Sequence, residues 1–160
     1  MNPDQTERYS RQIKLPQVGG TGQQRLLDAR VLIIGMGGLG SPVAMYLAAA
    51  GVGHLVISDY DRVDESNLQR QIVHTQASIN ELKASSARDT LLRLNPAVSI
   101  DALNYELDDE ELTKQVKQAN VVVDCTDNFP SRFELNRVSL ATGTPRSEEH
   151  TSELQSRETI

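Results

Sequence analysis

The stretch Val31-Leu-Ile-Ile-Gly-Met-Gly-Gly-Leu-Gly-Ser-Pro42 joins a short apolar run to a loop that contains four glycines. Val31–Ile34 is β-branched and apolar, as buried parallel strands are. Ser41 as the N-cap and Pro42 at the first helical position predict a helix start, and Gly51 predicts the end of that helix. Strand, glycine turn and helix in this order favour a nucleotide site, because glycine lets the backbone approach a phosphate. The alternative is a tight turn that packs a helix onto a sheet.

The rest of the chain continues the alternation of strand and helix. Ser78-Ile-Asn-Glu81 and Ser131-Arg-Phe-Glu134 have the spacing of capping boxes, and Asp108 predicts a further helix start. Further strands are predicted at His54–Ser58, near 98–103 and at Val121–Asp124. The pattern predicts an α/β fold with a Rossmann-like, doubly wound and mainly parallel sheet.

A carboxylate and a polar run follow the second predicted strand. Asp59 stands where a carboxylate can accept hydrogen bonds from ribose hydroxyls, which suits NAD as well as ATP. The segment Asp64–Gln71 then lacks the apolar stripe of a connecting helix. Such a segment is better suited to lining a site than to covering a sheet.

Several linked motifs carry a family resemblance. They are Arg8-Tyr-Ser-Arg11-Gln12-Ile13, Gly35 to Gly40, Asp59 to Gln71, Lys83, and Asp124-Cys-Thr-Asp127-Asn128. Together they resemble the ThiF/MoeB/HesA family of ubiquitin-activating-enzyme-like adenylyltransferases, from about Glu7 to Pro145, which is the N-terminal part of the family pattern. The resemblance implies an ATP-dependent enzyme that activates the C-terminal glycine of a ubiquitin-like sulfur carrier protein in thiamine or molybdopterin synthesis.

The resemblance also implies roles for single residues. Arg11, Arg70, Lys83 and Asp127 are expected to be catalytic, and Asp127 to bind Mg²⁺, an ion that takes oxygen ligands. Arg11 is expected to reach from one subunit into the ATP site of its partner, which implies a homodimer. The residues expected to contact ATP are Gly35, Gly37, Gly38, Gly40, Asp59, Asn67, Arg70 and Lys83.

Plainer interpretations stand beside these roles. Arg70 and Lys83 could be solvated surface cations, although a lysine in the first turn of a helix opposes the helix dipole and indicates an anionic partner. Asp61 and Asp64 are interpreted as loop-shaping residues. Cys125 is interpreted as a small buried thiol rather than a sulfur-transfer cysteine.

Composition limits the function classes. The 160 residues carry a net charge of −6, which argues against a nucleic-acid surface, and they contain a single cysteine, which leaves no multi-cysteine zinc site. Zinc is expected in the family, but its ligands are absent from this chain. No apolar stretch approaches membrane-spanning length, and the sequence therefore predicts a cytoplasmic protein.

The C-terminal segment departs from the family pattern. Residues 1–145 are expected to form an incomplete ATP-binding adenylyltransferase domain. Residues 146–160 resemble the conceptual translation of a sequencing-library adapter and are expected to be an artefact rather than native sequence; the alternative is a real polar tail. On that reading the sheet is truncated at its C-terminal side, with no strand beside Val121–Asp124, and the 160-residue chain is expected to be inactive or poorly folded.

Three function classes remain open at this point. The first is the adenylyltransferase, the second an NAD-binding oxidoreductase, and the third a non-catalytic fragment. The oxidoreductase gives no account of Arg70, Lys83 and Asp127. The sequence does not choose between a thiamine and a molybdopterin carrier.

Overall fold

The structure, a computed structural model, describes residues 1–148, in which strands and helices alternate after an N-terminal helical segment. The helices are α1 (Pro3–Arg8), α2 (Ser10–Ile13), α3 (Gly19–Asp28), α4 (Gly40–Ala50), α5 (Lys83–Leu94), α6 (Asp109–Gln118) and α7 (Phe129–Thr142). The strands are β1 (Arg30–Ile34), β2 (His54–Ser58), β3 (Ser99–Leu103), β4 (Val121–Asp124) and β5 (Arg146–Ser147). Within these residues no helix is both long and apolar enough to cross a bilayer.

The strands form one sheet with the order β3-β2-β1-β4-β5, and every neighbouring pair is parallel. The chain extends the sheet from β1 through β2 to β3 and then returns to the other side of β1 with β4. Open α/β sheets bind ligands at the carboxyl ends of the strands beside such a reversal. The predicted Rossmann-like, doubly wound sheet is confirmed, and the site is expected beside β1.

Helices cover both faces of the sheet because its strands are apolar on both sides. In β1, Val31 and Ile33 belong to a core shared with α4 and α5, whereas Leu32 belongs to a core shared with α6 and α7. All three side chains are buried. The two cores hold β1 rigidly, and the loop after it therefore starts from a fixed point.

Three predicted helix starts, those of α4, α7 and α5, differ from the observed ones by a few residues. Helix α4 begins at Gly40, so Ser41 lies inside its first turn and does not cap it. Helix α7 begins at Phe129, because the side chain of Asn128 accepts a hydrogen bond from the backbone N–H of Ser131 and caps the helix earlier. The predicted cap at Asp108 and the predicted end at Gly51, which has φ +86°, are both confirmed.

Helix α5 begins at Lys83 and not at the predicted capping box of Ser78. The hydroxyl of Ser78 is used in a separate turn with Thr75. Leu82 then keeps an extended backbone and bridges to Arg62 in antiparallel fashion. Pairing of the loop with Arg62 therefore moves the start of the helix along the sequence to Lys83.

The edge beside β4 differs from the sequence expectation. Arg146 and Ser147 form the short strand β5, which pairs with Val122 and Val123 of β4, so β4 does have a neighbour within the described residues. The guanidinium of Arg146 also donates to Asp124 Oδ2 at 2.7 Å. Residues 149–160 of the predicted tail lie outside the described part of the chain.

The N-terminal segment is fastened to the helix layer by Tyr9. This side chain is buried and packs against Gly51, where an added Cβ would lie 2.5 Å from the ring. The Tyr9 hydroxyl accepts a hydrogen bond from Asn95 Nδ2 at 2.9 Å, and the same amide donates to the carbonyl of Ala48. Helices α1 and α2 are thus held at a defined place.

Candidate functional site

A cleft of about 950 Å³ opens at the carboxyl ends of β1, β2 and β4. This is the position that the strand order predicts. Its walls include these predicted site residues: Gly35, Gly37, Gly38, Asp59, Arg70, Lys83 and Asp127. The other three predicted site residues, Gly40, Asn67 and Arg11, do not line the cleft.

The four glycines of the loop after β1 divide into two pairs. Gly35 has φ +96°, and a Cβ there would lie 2.7 Å from the carbonyl oxygen of Cys125; a Cβ on Gly40 would overlap the carbonyl oxygen of Gly35. These two positions need glycine because backbone segments meet there. Gly37 and Gly38 would meet only ordinary contacts at 3.6 Å, and they line the cleft before the N-terminus of α4. Helix N-termini attract anionic groups.

Asp59 follows β2 and ties the glycine loop to the next loop. Its Oδ2 accepts from the backbone N–H of Met36 at 2.8 Å, and its Oδ1 accepts from that of Asp61 at 2.9 Å. A carboxylate has about four acceptor positions, so acceptor capacity remains for a ligand. The predicted ribose contact stays a prediction, while a structural role in holding Met36 was missed.

Lys83 is 7% exposed, although it lines the cleft. Its ammonium donates to Asp61 Oδ2 at 3.1 Å, and its backbone N–H donates to the carbonyl of Asp61 at 2.9 Å. Since a buried ammonium needs a partner, Asp61 both shapes the loop, as predicted, and orients the lysine. The interpretation of Lys83 as an exposed cation is wrong.

Arg70 is exposed and lines the cleft beside Gly38. Its guanidinium donates to Asn67 Oδ1 at 3.2 Å and to the carbonyl of Ser66 at 3.3 Å. These contacts fold the arginine back over its own loop. Asn67 therefore does not line the cleft itself, but it holds the side chain of Arg70, which does.

Asp127 lies after β4 and lines the cleft, and β4 lies on the other side of β1 from β2, which precedes Asp59. Within residues 1–148 its exposed carboxylate makes no hydrogen bond or ion pair. Arg132 donates to the carbonyl of Thr126 at 2.9 Å and so supports the backbone beside it. Asp124, which the sequence left outside the site, is buried and accepts from the hydroxyl of Thr126 at 2.7 Å.

Cys125 is partly buried and lines the cleft at the point where Gly35 packs. The described residues contain no group of three or more metal-ligating side chains, and so they include no ready-made zinc site. A single free carboxylate such as Asp127 suits Mg²⁺, which in nucleotide sites takes one or two carboxylates together with phosphate oxygens.

Arg11 does not approach the cleft of its own chain. It is exposed on α2, in the segment that Tyr9 anchors. The structure thus brings together predicted residues from the loops after β1, β2 and β4 and from the start of α5, and it leaves Arg11 on the surface.

Sequence reasoning gave no individual role to two further residues. His74 is buried; its Nε2 lies 3.0 Å from the carbonyl of Met36 and its Nδ1 2.9 Å from the hydroxyl of Ser86. Because a carbonyl only accepts, Nε2 carries the proton and Nδ1 accepts from Ser86. Burial lowers the pKa of His74, an effect to which the charge of Lys83 adds. Gln71 lines the cleft beneath Gly37. His74 follows the apolar pair Ile72 and Val73 and has no spacing signal, whereas Gln71 ends the polar segment that the sequence predicted to line a site.

Comparison with known proteins gives a consistent set of relatives. Residues 9–159 match the ThiF family. The chain is 50% identical over 145 residues to the sulfur carrier protein ThiS adenylyltransferase of Escherichia coli, covering 91% of this chain and 58% of that protein. It is 47% identical over 138 residues to the molybdopterin-synthase adenylyltransferase of the same organism, covering 86% and 55%. The chain thus spans a little over half the length of these relatives.

Solved structures show the same fold. The Escherichia coli tRNA N6-threonylcarbamoyladenosine dehydratase TcdA, in a complex with ATP, superposes with a TM-score of 0.85 at 22% identity, over 92% of this chain and 60% of that one. Escherichia coli MccB, solved with ATP, gives a TM-score of 0.79 at 26% identity, over 92% and 45%.

Proposed function

The chain belongs to the ThiF family, and on that premise we propose that it forms the nucleotide-binding part of an ATP-dependent adenylyltransferase. Its second substrate is the C-terminal glycine carboxylate of a ubiquitin-like sulfur carrier protein that ends in Gly-Gly. The observation that carries the proposal is the single cleft that gathers the glycine loop, Asp59, Arg70, Lys83 and Asp127. The names of the relatives and the ATP complex of MccB support the same reaction class.

In the proposed reaction, a carboxylate oxygen of the carrier attacks the α-phosphorus of ATP. A new phosphorus–oxygen bond forms, the bond to the pyrophosphate oxygen breaks, and pyrophosphate leaves with that electron pair. Negative charge grows on the phosphoryl oxygens, so fixed positive groups stabilise the transition state. Lys83, oriented by Asp61, and Arg70, oriented by Asn67, are two of the cations that line the cleft, and we assign them this role.

The remaining residues bind and position the nucleotide. The loop of Gly35, Gly37, Gly38 and Gly40 lets phosphate reach the N-terminus of α4, and Asp59 accepts from ribose with its free acceptor positions. Asp127 would hold Mg²⁺ together with ATP phosphates, and the bound ion would neutralise part of their charge.

The reaction is tested by pyrophosphate exchange into ATP that depends on a carrier protein ending in Gly-Gly. The assay is run on the 160-residue chain and on the protein encoded by the resequenced source gene. Asp127→Ala is expected to lower exchange at least about a hundredfold, because positioned charge in the site is lost. Asp89→Ala, an exposed carboxylate on α5 outside the cleft, is the matched control. NADH binding without exchange would favour the oxidoreductase instead, and binding of neither would favour a non-catalytic fragment.

We also propose a homodimer in which Arg11 acts in trans, and the position of Arg11 on an anchored helix away from its own cleft supports this. Mixing Arg11→Ala and Asp127→Ala subunits tests it. Each variant alone is expected to lack exchange, whereas a mixed dimer carries one site with an intact Asp127 and the arginine of the partner. Recovered exchange in the mixture supports the trans role; no recovery on mixing contradicts it.

We also infer that residues 146–160 are translated adapter sequence and that the domain continues differently in the natural protein, which is predicted to be cytoplasmic. The resemblance of this segment to adapter sequence supports the inference, whereas the pairing of Arg146 with Asp124 and β4 gives it no support. Sequencing the source locus across codon 145 tests the inference. An in-frame stop after the tail in independent genomic reads would overturn it.

A further inference from the structure

The side chain of Gln71 is buried without a hydrogen-bond partner among the described residues. The residue is 5% exposed, and its Oε1 is shielded from solvent and makes no hydrogen bond within residues 1–148. Its Nε2 lies 3.6 Å from where a Cβ on Gly37 would stand, so the amide lies against the glycine loop in the wall of the cleft.

The other two buried glutamines of this part of the chain are fully paired. Gln115 donates to Glu111 at 2.8 Å and accepts from Arg30 at 2.9 Å. Gln23 donates to the carbonyl of Ala50 at 3.0 Å and accepts from Gln12 at 2.8 Å. Buried amides are expected to be paired, since an unpaired one loses its contacts with water and gains nothing in return. Gln71 is therefore the exception, and it is the one that lines the cleft.

We propose that Gln71 binds a ribose hydroxyl of the nucleotide, beside Asp59. This inference rests on the proposed function for the presence of ATP. Asp59 holds the N–H of Met36, and Gln71 lies against the next residue, Gly37, so the two side chains flank the same short piece of loop.

The chemistry of the amide favours a hydroxyl over a phosphate oxygen. Rotation of the amide about its last bond exchanges its donor and its acceptor, and a hydroxyl can pair with either one. An ionised phosphate oxygen only accepts, and it would leave the carbonyl of Gln71 unpaired. In the present orientation Oε1 is shielded from solvent, so a hydroxyl in the cleft would pair either with Nε2 or, after the amide rotates, with Oε1.

A comparison of Gln71→Leu with the matched control Gln115→Leu separates binding from folding. Gln71→Leu is expected to melt at the same temperature as the unliganded wild type or higher, because it removes an unpaired buried amide, and to bind ATP about tenfold more weakly. Gln115→Leu is expected to melt lower and to bind ATP normally, because it breaks two bonds at the other end of the sheet. Gln71→Met, which conserves volume, repeats the measurement if the leucine variant does not fold.

Nucleotide analogues identify the group that is bound. One of the two analogues, 2′-deoxy-ATP or 3′-deoxy-ATP, lacks the hydroxyl that Gln71 binds. For that analogue, the affinity of Gln71→Leu is expected to be less than about twofold below the affinity of wild type. An equal loss for ATP and for both analogues would overturn the ribose assignment, and unchanged ATP affinity in the leucine and methionine variants would overturn the role of Gln71 altogether. Wild type that binds ATP without pyrophosphate exchange would contradict only the proposed reaction, whereas wild type that does not bind ATP would overturn both.

Discussion

The two walls of the cleft differ in how their polar groups are held. On the wall built by β1, β2 and α5, Asp59 binds the backbone of Met36, Lys83 pairs with Asp61, and His74 bridges Met36 to Ser86. On the wall built by β4 and α7, the carboxylate of Asp127 makes no hydrogen bond within the described residues. Asp59, Lys83 and His74 are thus held in place before any ligand arrives, whereas Asp127 is not, although Asp124 and the carbonyl of Thr126 beside it are hydrogen-bonded.

Exposed apolar groups occur on both sides of the cleft, and on the first side they include Leu39 and Tyr60. Helix α7 presents Phe129 and Phe133, both more than 70% exposed with ring centroids 6.4 Å apart, together with Leu140. Groups that are already held in place can bind a ligand at little further cost in conformational order.

The largest effect is expected from Gly40→Ala, which adds a Cβ where α4 and the glycine loop are in close contact. The new Cβ would overlap the carbonyl of Gly35, so α4 must move off the loop, with an expected loss of about 3 kcal/mol in the free energy of unfolding. Urea unfolding measures it. Gly38→Ala is the control, because its Cβ would meet Arg70 only at 3.6 Å; an equal loss in both variants would contradict the division of the glycines into two pairs.

The same substitution on both walls gives the most direct contrast. Asp59→Ala is expected to cost about 2 kcal/mol of unfolding free energy, because the N–H groups of Met36 and Asp61 lose their acceptors. Asp127→Ala is expected to change stability by less than about 0.5 kcal/mol, because its carboxylate is exposed and unbonded there. Thermal and urea unfolding of both variants measure these losses. Equal losses of unfolding free energy would contradict the difference between Asp59 and Asp127.

A pH titration of stability tests His74. Burial lowers the pKa of this side chain from the ordinary 6.5, so between the two pKa values the unfolded chain binds more protons than the folded one. The contribution of His74 is therefore complete above about pH 6.5 and is lost as the pH falls towards the lowered value. In His74→Gln the slope of stability against pH below 6.5 is expected to flatten; an unchanged slope would mean that other groups cause it.

The smallest effect is expected from Phe133→Ser on the exposed face of α7, outside the cleft lining, with less than about 0.5 kcal/mol of unfolding free energy lost, because the ring is already in water. Val138→Ser, on the inward face of the same helix, is buried and is expected to cost several times more. Unfolding of the two variants compares the faces of α7. A large loss for Phe133→Ser would show that its face is packed in solution.

The sequence predicts the sheet and the cleft well because their signals are local. The β-branched run of β1, the glycine loop and the left-handed Gly51 each act within a few residues. Helix starts were less predictable, since Ser78 satisfies its hydroxyl in a neighbouring turn and the Leu82–Arg62 bridge delays α5. Such long-range pairing overrides a capping pattern.

The site residues divide in the same way. Asp59, Arg70, Lys83 and Asp127 stand in motifs, and the strand order then brings them to one cleft. The contact of His74 with Met36 and the missing partner of Gln71 depend on packing between segments far apart in the chain, for which no spacing rule exists. Arg11 stays a prediction, because its expected site belongs to a second subunit.

The central place of β1 has a consequence for how the protein forms during synthesis. Val31 pairs with Leu55 on one side and with Val121 on the other, so one neighbour of β1 leaves the ribosome long before the second. Closing the longer loop carries the greater entropic cost, and distant parallel pairing is slow. The nascent chain therefore exposes one flank of β1 until β4 emerges, and a translational pause in that interval is expected to favour aggregation or chaperone capture over folding.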